Sequence, residues 1–391
     1  MLKLKSLKEA DVANKHVIVR CGFDVPFDES GEIINSDRIV ECLSTLQYLV
    51  DQNAKVIIMS HNGRPKGKII PKLSMDKVGQ KLSELLNRKI IKLDDCLGQD
   101  IRERVSQMKE GEIVLLENLR FHAEEKQNND LFAKELAMLG EIYVNEAFAN
   151  SHREHASMVG VPRFLPSFAG FRLIKEIETL SGVMDDPARP LVAVIGGAKI
   201  SDKIKVIKKF LKVADHVIVG GALANTILKA KGISIGKSIV EDEMISFAKE
   251  LLLTDTNFHI PVDVVVASRI DKDAPTQMKA AGKVDDHEYI LDIGPDTVKL
   301  YNTILEKAAT IIWGGPMGYF EIKSFAKGTM DIAKKIASLD SLSIVGGGDT
   351  MEAVEQAGVK EKINFISTGG GAMLKFLETG SLPAIEPLIK K

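Results

Sequence analysis

Short β-branched runs alternate with amphipathic stretches along the whole chain. The turns that join them are rich in glycine in the second half and in basic residues in the first. The second-half runs are LVAVIGG from Leu191, HVIVGG from His216, TIIWGGPMG from Thr310, LSIVGGGDT from Leu342 and INFISTGGG from Ile363. Four to six apolar residues without alternation predict strands buried on both faces. KISDKIKVIKKFLKVA and LANTILKAKG, between them, carry helical periodicity. In the first half HVIVR, AKVIIMSH, GEIVLLEN and EIYVNEAF read as strands. Strand alternating with helix predicts α/β architecture with parallel sheets covered on both sides. Across 169–190, Phe171, Ile174, Ile177 and Leu180 recur at helical spacing before a proline break. The expected fold is two doubly wound parallel-sheet domains joined by a hinge helix, with boundaries at 1–170, 171–188 and 189–371.

Composition narrows the function without naming it. A chain of 391 residues, 45% hydrophobic and 27% charged, is globular and long enough for two to three domains. Lys plus Arg number 52 and Asp plus Glu 54, a net charge of -2. That balance argues against a general nucleic-acid or membrane-surface binder, so any cationic site must be local. Three cysteines without a C-x-x-C pair make neither a disulfide framework nor an obvious zinc site, and suggest a reducing compartment. The segment MLKLKSLKEADVANK has no apolar core of a signal peptide, and no apolar run approaches a membrane span. The expectation is a soluble, cytoplasmic protein.

Ligands in open α/β sheets collect at the carboxyl ends of strands. In the second half those ends are glycine turns, whose N–H groups can cradle phosphate. No G-x-G-x-x-G opens a helix after a strand, which leaves a hydride-transfer enzyme unsupported. GISIGKS (232–238) is one residue short of a Walker A loop and reads as a helix end and turn. Lys199 and Lys203 fall four apart, on one face of the helix expected to open there. Cations in a first turn oppose the helix dipole unless an anion offsets them. Asp349 either caps its helix or meets magnesium on nucleotide phosphates. Glu321 could accept bonds from a ribose.

In the first half Arg20, Arg38, His61, Arg64, Arg120, His122, His152, Arg153 and His155 all fall at strand ends or in the following loops. Convergence of these arginines requires an anionic partner, since guanidinium suits bidentate capture of carboxylate and phosphate. His152-x-x-His155 lacks the further ligands of a zinc site. A magnesium-nucleotide site in one half and a polyanion site in the other is the layout of a phosphoryl transferase.

SHNGRPKG, LLENLRFH, YVNEAFANSHREHASMVG, GGAKISDKI, DIGPDT, WGGPMGYFE, GGGDT and ISTGGGA resemble, in order, motifs of the phosphoglycerate kinase family. The resemblance implies a monomeric, hinge-bending, glycolytic enzyme that moves a phosphoryl group between ATP and 3-phosphoglycerate with Mg2+. It also implies that 372–391 returns to pack on the first domain. Arg20, Gly22, Phe23, Asp24, Arg38, His61, Asn62, Gly63, Arg64, Arg120 and Arg153 would meet 3-phosphoglycerate or 1,3-bisphosphoglycerate. Lys203, Gly221, Gly294, Glu321, Gly347, Gly348, Asp349 and Thr350 would meet ATP or ADP, with Asp349 on the metal. Lys199, Arg38 and the N–H groups of Gly370 and Gly371 would follow the group in transfer. The chain departs from the family pattern at Gly22 (usually Asp), Asp24 (Asn), Asn62 (Leu), Glu146 (Asp) and Gly314 (Asn). Gly22 and Asp24 leave two alternatives: a kinase of a related phosphorylated carboxylic acid, or a non-catalytic nucleotide-binding relative.

Overall fold

Two six-stranded parallel sheets organise the protein, each in its own compact unit. The structure is a computed structural model and describes residues 2–254 and 257–390. Unit 1 comprises Met1–Ser181 with Thr379–Lys391, and unit 2 comprises Gly182–Glu378.

Unit 1 contains β1 (His16–Arg20), β2 (Lys55–Met59), β3 (Ile90–Lys92), β4 (Ile113–Leu115), β5 (Ile142–Asn145) and β6 (Ser167–Ala169). Their order is β3-β4-β2-β1-β5-β6. The uninterrupted apolar runs are explained by burial on both faces. Val17 and Val19 pack with Leu46 and Leu49 on one side, while Ile18 packs with Ile57, Leu136 and Tyr143 on the other. The three-residue strands β3 and β6 are too short to stand out in the sequence.

Unit 2 contains β7 (Leu191–Ile195), β8 (His216–Val219), β9 (Phe258–His259), β10 (Asp263–Ala267), β11 (Gln277–Ala280), β12 (Tyr289–Ile293), β13 (Thr310–Gly314), β14 (Leu342–Gly346) and β15 (Phe365–Ser367). The parallel sheet runs β15-β14-β13-β7-β8-β9. Strands β7 to β9 extend one way and β13 to β15 the other. The reversal between β7 and β13 is a topological switch point, where α/β sheets open a crevice. A separate antiparallel sheet, β11-β10-β12, was not expected from the sequence.

The joining helix is present as Phe171–Asp185. Its start is fixed by Glu146, whose carboxylate accepts the N–H groups of Arg172 (3.0 Å) and Leu173 (3.3 Å), while Thr45 Oγ1 accepts that of Phe171 (2.9 Å). Burial pushes the Glu146 carboxyl up to about 7 against these bonds. The division between units falls within the expected joining segment 171–188, between Ser181 and Gly182 and not at either end of it. The returning segment likewise begins at Thr379, not 372. Met373 and Leu374 belong to unit 2, because their side chains lie against the backbone of Gly346 and Gly314 at its strand ends. The shorter return is held by Lys5 N–H to Leu388 O (2.7 Å), Lys390 N–H to Lys3 O (2.9 Å) and Ala384 N–H to Ser151 O (3.1 Å).

Gly182 sits within the joining helix, and a Cβ added there meets nothing within 4 Å. Gly182→Ala should therefore stabilise the protein by about 0.5–1 kcal/mol through lost unfolded-state freedom. Urea unfolding monitored by circular dichroism checks this; a destabilised variant would mean that the helix needs a glycine at this point.

Candidate active site

In unit 1 the strand ends gather the basic residues. Arg20 closes β1, and His61 and Asn62 follow β2 in the adjacent loop. Arg20 is wholly buried and spends its donors internally: Nε on Ser157 Oγ (2.9 Å), one terminal nitrogen on Cys21 O, the other on His61 Nδ1 (2.9 Å). Ser157 passes the contact to the buried Glu125 carboxylate (2.6 Å), which offsets the hidden charge. Arg20 is therefore a positioning residue under the site, a correction to its expected contact with ligand. Phe23 is corrected in the same way: its ring is buried in the core, and its N–H is donated to Ser60 Oγ (2.9 Å).

Arginine can only donate, so His61 Nδ1 accepts and the ring's proton sits on Nε2. Burial, with Arg20 and Arg120 nearby, pushes the His61 pKa down to about 3 despite Asp24. The ring is thus neutral, and its Nε2 lies 3.6 Å from Asp24 Oδ2. Asp24 also accepts the Gly63 N–H at Oδ1 (2.8 Å) and lies 3.8 Å from Arg38 NH1. Burial alone would raise its pKa, but His61, the Gly63 amide and Arg38 hold the carboxyl well below the usual carboxylate range. Arg38 also bonds Asp24 O. Gly63 adopts φ +64, and a Cβ there would fall 2.8 Å from Leu73, so the tight turn that aims its amide requires glycine.

Arg120 donates to Gly63 O (2.7 Å), and burial together with Arg153 and Arg20 lowers its pKa to about 10. Arg153 is lowered by burial too, with Arg20, Arg64 and Arg38 contributing against Asp24. Arg64 is exposed, while Arg38 and Arg153 are half-buried. The expected convergence of arginines is real within this unit. Three buried donors, His61 Nε2, Asn62 Nδ2 and Arg120 Nε, have no acceptor within the described protein. Leaving such groups unmet costs about 1–3 kcal/mol each, so they suit an acceptor, and the arginines around them favour an anionic one. Gly22 is half-buried with room for a Cβ at ordinary contact distance, 3.7 Å from Asn150 Oδ1. Sequence reasoning missed Ser60, Ser157, Glu125 and Asn118, the last of which ties Asn62 O (2.7 Å) to Leu73 O (2.9 Å). Ser60, Asn118 and Ser157 lie inside SHNGRPKG, LLENLRFH and YVNEAFANSHREHASMVG but are uncharged and do not stand out there, and Glu125 lies outside all of the family-like motifs.

In unit 2 Lys203 spans the switch point. Its Nζ bonds Gly196 O after β7 and Gly314 O of β13 (3.2 Å). Burial pushes its pKa down to about 8, with Asp349 and Asp202 pulling the other way. Thr350 Oγ1 accepts the Gly315 N–H (2.7 Å) and donates to Gly346 O (3.1 Å), stitching β13 to β14. The turns nest so closely that a Cβ on Gly370 would fall 2.3 Å from Gly347 Cα. Lys199 and Lys203 are not on one helical face. The helix spans Ile204–Val213, Lys203 precedes it, and Lys199 lies exposed in the loop. The loop is drawn away from helical form by Glu241, which accepts the N–H groups of Ile200 (2.5 Å) and Ser201 (3.1 Å).

Asp349 does not cap the helix Gly348–Gln356; Gly347 stands at that position, and Asp349 is exposed in the first turn. Gly348 and Gly371 are exposed beside it in sequence and at the start of the helix Gly370–Thr379, respectively. Gly221, Glu321 and Asp349 line a largely apolar cleft with Val264, Leu291 and Met317. The antiparallel sheet supplies Val264 and Leu291, which the sequence reading did not select. Gly294 is buried next to the cleft residue Ile293, and its N–H goes to Asp263 O (2.9 Å).

The family model described as phosphoglycerate kinase matches residues 7–380. The chain is 48% identical over 395 residues to the phosphoglycerate kinase of Moorella thermoacetica, covering all of both chains. It is 45% identical over 396 residues to that of Aquifex aeolicus, again with full coverage. The phosphoglycerate kinase structure from Coxiella burnetii superposes with a TM-score of 0.87 at 39% identity, covering 98% of each chain. The chain belongs to the phosphoglycerate kinase family. The family is made up of phosphotransferases with a carboxyl group as acceptor, which in glycolysis interconvert 1,3-bisphosphoglycerate plus ADP and 3-phosphoglycerate plus ATP.

The neutral state of His61 has a measurable consequence. Unfolded, its imidazole titrates near about 6.5; folded, it titrates at about 3. Between those values the unfolded chain binds more protons, so this group's contribution falls as pH drops. Compared with wild type, His61→Gln should flatten the stability slope between about pH 6 and pH 4 by up to roughly 1.4 kcal/mol per pH unit. Urea unfolding over a pH series reads it, and an unchanged slope would show that the folded ring is protonated.

Proposed function

We propose that unit 1 binds 3-phosphoglycerate or 1,3-bisphosphoglycerate in its arginine basin and that unit 2 binds ATP or ADP over its glycine turns. The observation that carries this is the surplus of guanidinium groups around three buried, unmet donors. Arg38, Arg64, Arg120 and Arg153 supply charge, while His61 and Gly63 supply orientation. His61 acts as a donor, since its pKa of about 3 leaves it neutral. The acid's carboxylate, with an ordinary pKa of roughly 3.5, needs no base to become a nucleophile. Lys199, Arg38 and the amides of Gly370 and Gly371 stabilise the charge that spreads over the moving phosphoryl group. Lys203, Gly221, Glu321, Gly347, Gly348, Asp349 and Thr350 serve the nucleotide.

An exposed carboxylate at a phosphate cradle fits Mg2+, which keeps water and binds through one or two carboxylates plus phosphates. Asp349 would hold it, and the ion would neutralise charge on the β- and γ-oxygens. We assign the protein to the cytoplasm as a monomer, with no nucleic-acid or membrane partner. The family's glycolytic role and three buried free thiols support that placement. The joining helix is the proposed hinge. A second reading, a kinase of a related acid lacking the 2-hydroxyl, draws on one observation: Asp24 is engaged by Gly63, His61 and Arg38, beside an empty position at Gly22.

Steady-state kinetics test the division of labour. Lys199→Ala should lower kcat far more than nucleotide affinity, and Arg64→Ala should mainly raise the KM for the acid. The reverse pattern would undo the assignment. For the acid itself, Gly22→Asp with Asp24→Asn should lower the KM for 3-phosphoglycerate by roughly ten- to a hundred-and-fifty-fold, the worth of one charge-assisted bond of about 1.5–3 kcal/mol. No gain in the double variant, with equal rates on an analogue lacking the 2-hydroxyl, would favour the second reading.

A further inference from the structure

Asp95, Cys96 and His122 bring a carboxylate oxygen, a thiol sulfur and an imidazole nitrogen to within 4.8 Å of one another in unit 1. Asp95 and Cys96 lie in the loop after β3, and His122 lies in the loop after β4, its paired neighbour. His122 Nε2 is 2.6 Å from Asp95 Oδ1, and the Cys96 thiol donates to Glu117 O at 2.9 Å. Cys96 is wholly buried, whereas the Asp95 and His122 side chains are 52% and 28% exposed. The sulfur therefore lies beneath the cluster with no solvent exposure, and the nitrogen and oxygen form its solvent-facing rim. Phe132 packs on the imidazole, with ring centroids 5.3 Å apart, and limits its rotation.

We propose that these three residues form a binding site for a thiophilic divalent cation, zinc above all. Tetrahedral zinc takes sulfur at about 2.3 Å and nitrogen or oxygen at about 2.0–2.2 Å, so neighbouring ligands stand about 3.3–3.7 Å apart. To reach that value the Nε2–Oδ1 pair opens from 2.6 Å while the sulfur, now within 4.8 Å of its partners, draws in, movements that side-chain rotations of about an ångström supply. One sulfur, one nitrogen and one oxygen match zinc, while magnesium and calcium want oxygen alone. The exposed rim leaves the fourth position to water. On binding, the thiol proton leaves to solvent and a metal–sulfur bond forms. The imidazole carries its proton on Nδ1, which frees the Nε2 lone pair from Asp95. The other mixed cluster, Asp285, His287 and Glu288, is a poor rival: Lys279 Nζ already bonds Asp285 (2.7 Å) and Glu288 (2.8 Å). The proposal is independent of the kinase reading, because it concerns side chains given no role in binding the acid or the nucleotide.

The full-length protein, stripped with chelator and kept reduced, is titrated with Co2+ and then Zn2+. The expected result is a thiolate-to-cobalt charge-transfer absorption, displaced by zinc, with about one proton released per zinc bound. Cys96→Ser should abolish the absorption. His122→Gln and Asp95→Asn should each weaken zinc binding by roughly tenfold or more. Absence of the band in wild type, its persistence in Cys96→Ser, or unchanged zinc affinity in both rim variants would overturn the site. The rim variants alter exposed side chains, so they decide the matter even if Cys96→Ser folds poorly.

Discussion

Parallel registration of the central strands is the constraint from which the basic cluster of unit 1 and the glycine turns of unit 2 each follow. Strands that run the same way in register end at the same edge, so whatever residue follows each strand is delivered to one place. In unit 1, β1 pairs residue by residue with β2 and β5, which puts Arg20 beside Met59 and Asn145. His61, two residues past Met59, thereby reaches Arg20. In unit 2 the pairing of β7 with β13 sets Gly196 and Gly314 side by side, and one lysine ammonium ties both carbonyls. Burial on both faces is what keeps this registration from slipping.

Electrostatics then separates the two ends. Unit 1 concentrates like charges that repel one another, and it tolerates them through a single buried chain from Arg20 through Ser157 to Glu125. His61 stays neutral because burial, with Arg20 and Arg120 adding to it, disfavours its charged form. Unit 2 uses few formal charges. It relies on backbone amides exposed at glycine turns, where the absence of a Cβ lets one turn approach another closely.

Much of this was legible in the amino-acid order, for stated physical reasons. Uninterrupted runs such as LVAVI and HVIVR announce doubly buried strands, and basic residues immediately after them announce an anion site. What escaped was what depends on distant partners. Arg20 and Arg64 look alike in sequence, yet one is sealed beneath the site and the other is exposed. Phe23 and Gly294 sit inside recognisable motifs, but their N–H groups are spent on Ser60 and on Asp263. The Lys199 loop reads as helix by periodicity; a glutamate some forty residues later decides otherwise. In the antiparallel sheet β11 is polar and exposed and Asp292 interrupts β12, so neither carries the doubly buried signature, and the largely buried VVVA run of β10 was overlooked beside them.

The discontinuity of unit 1 bears on biosynthesis. The segment ahead of its first strand is bridged from Leu4 and Lys5 to Ile389 and Leu388, and Asn145 at the end of β5 reaches Ala384. During translation the amino-terminal unit therefore leaves the ribosome with an unfilled seam, while the following unit, encoded by one continuous stretch, can close first. Completion of the earlier-made half waits for residues 384–390, so a polypeptide cut short of them would harbour its defect in the part synthesised first.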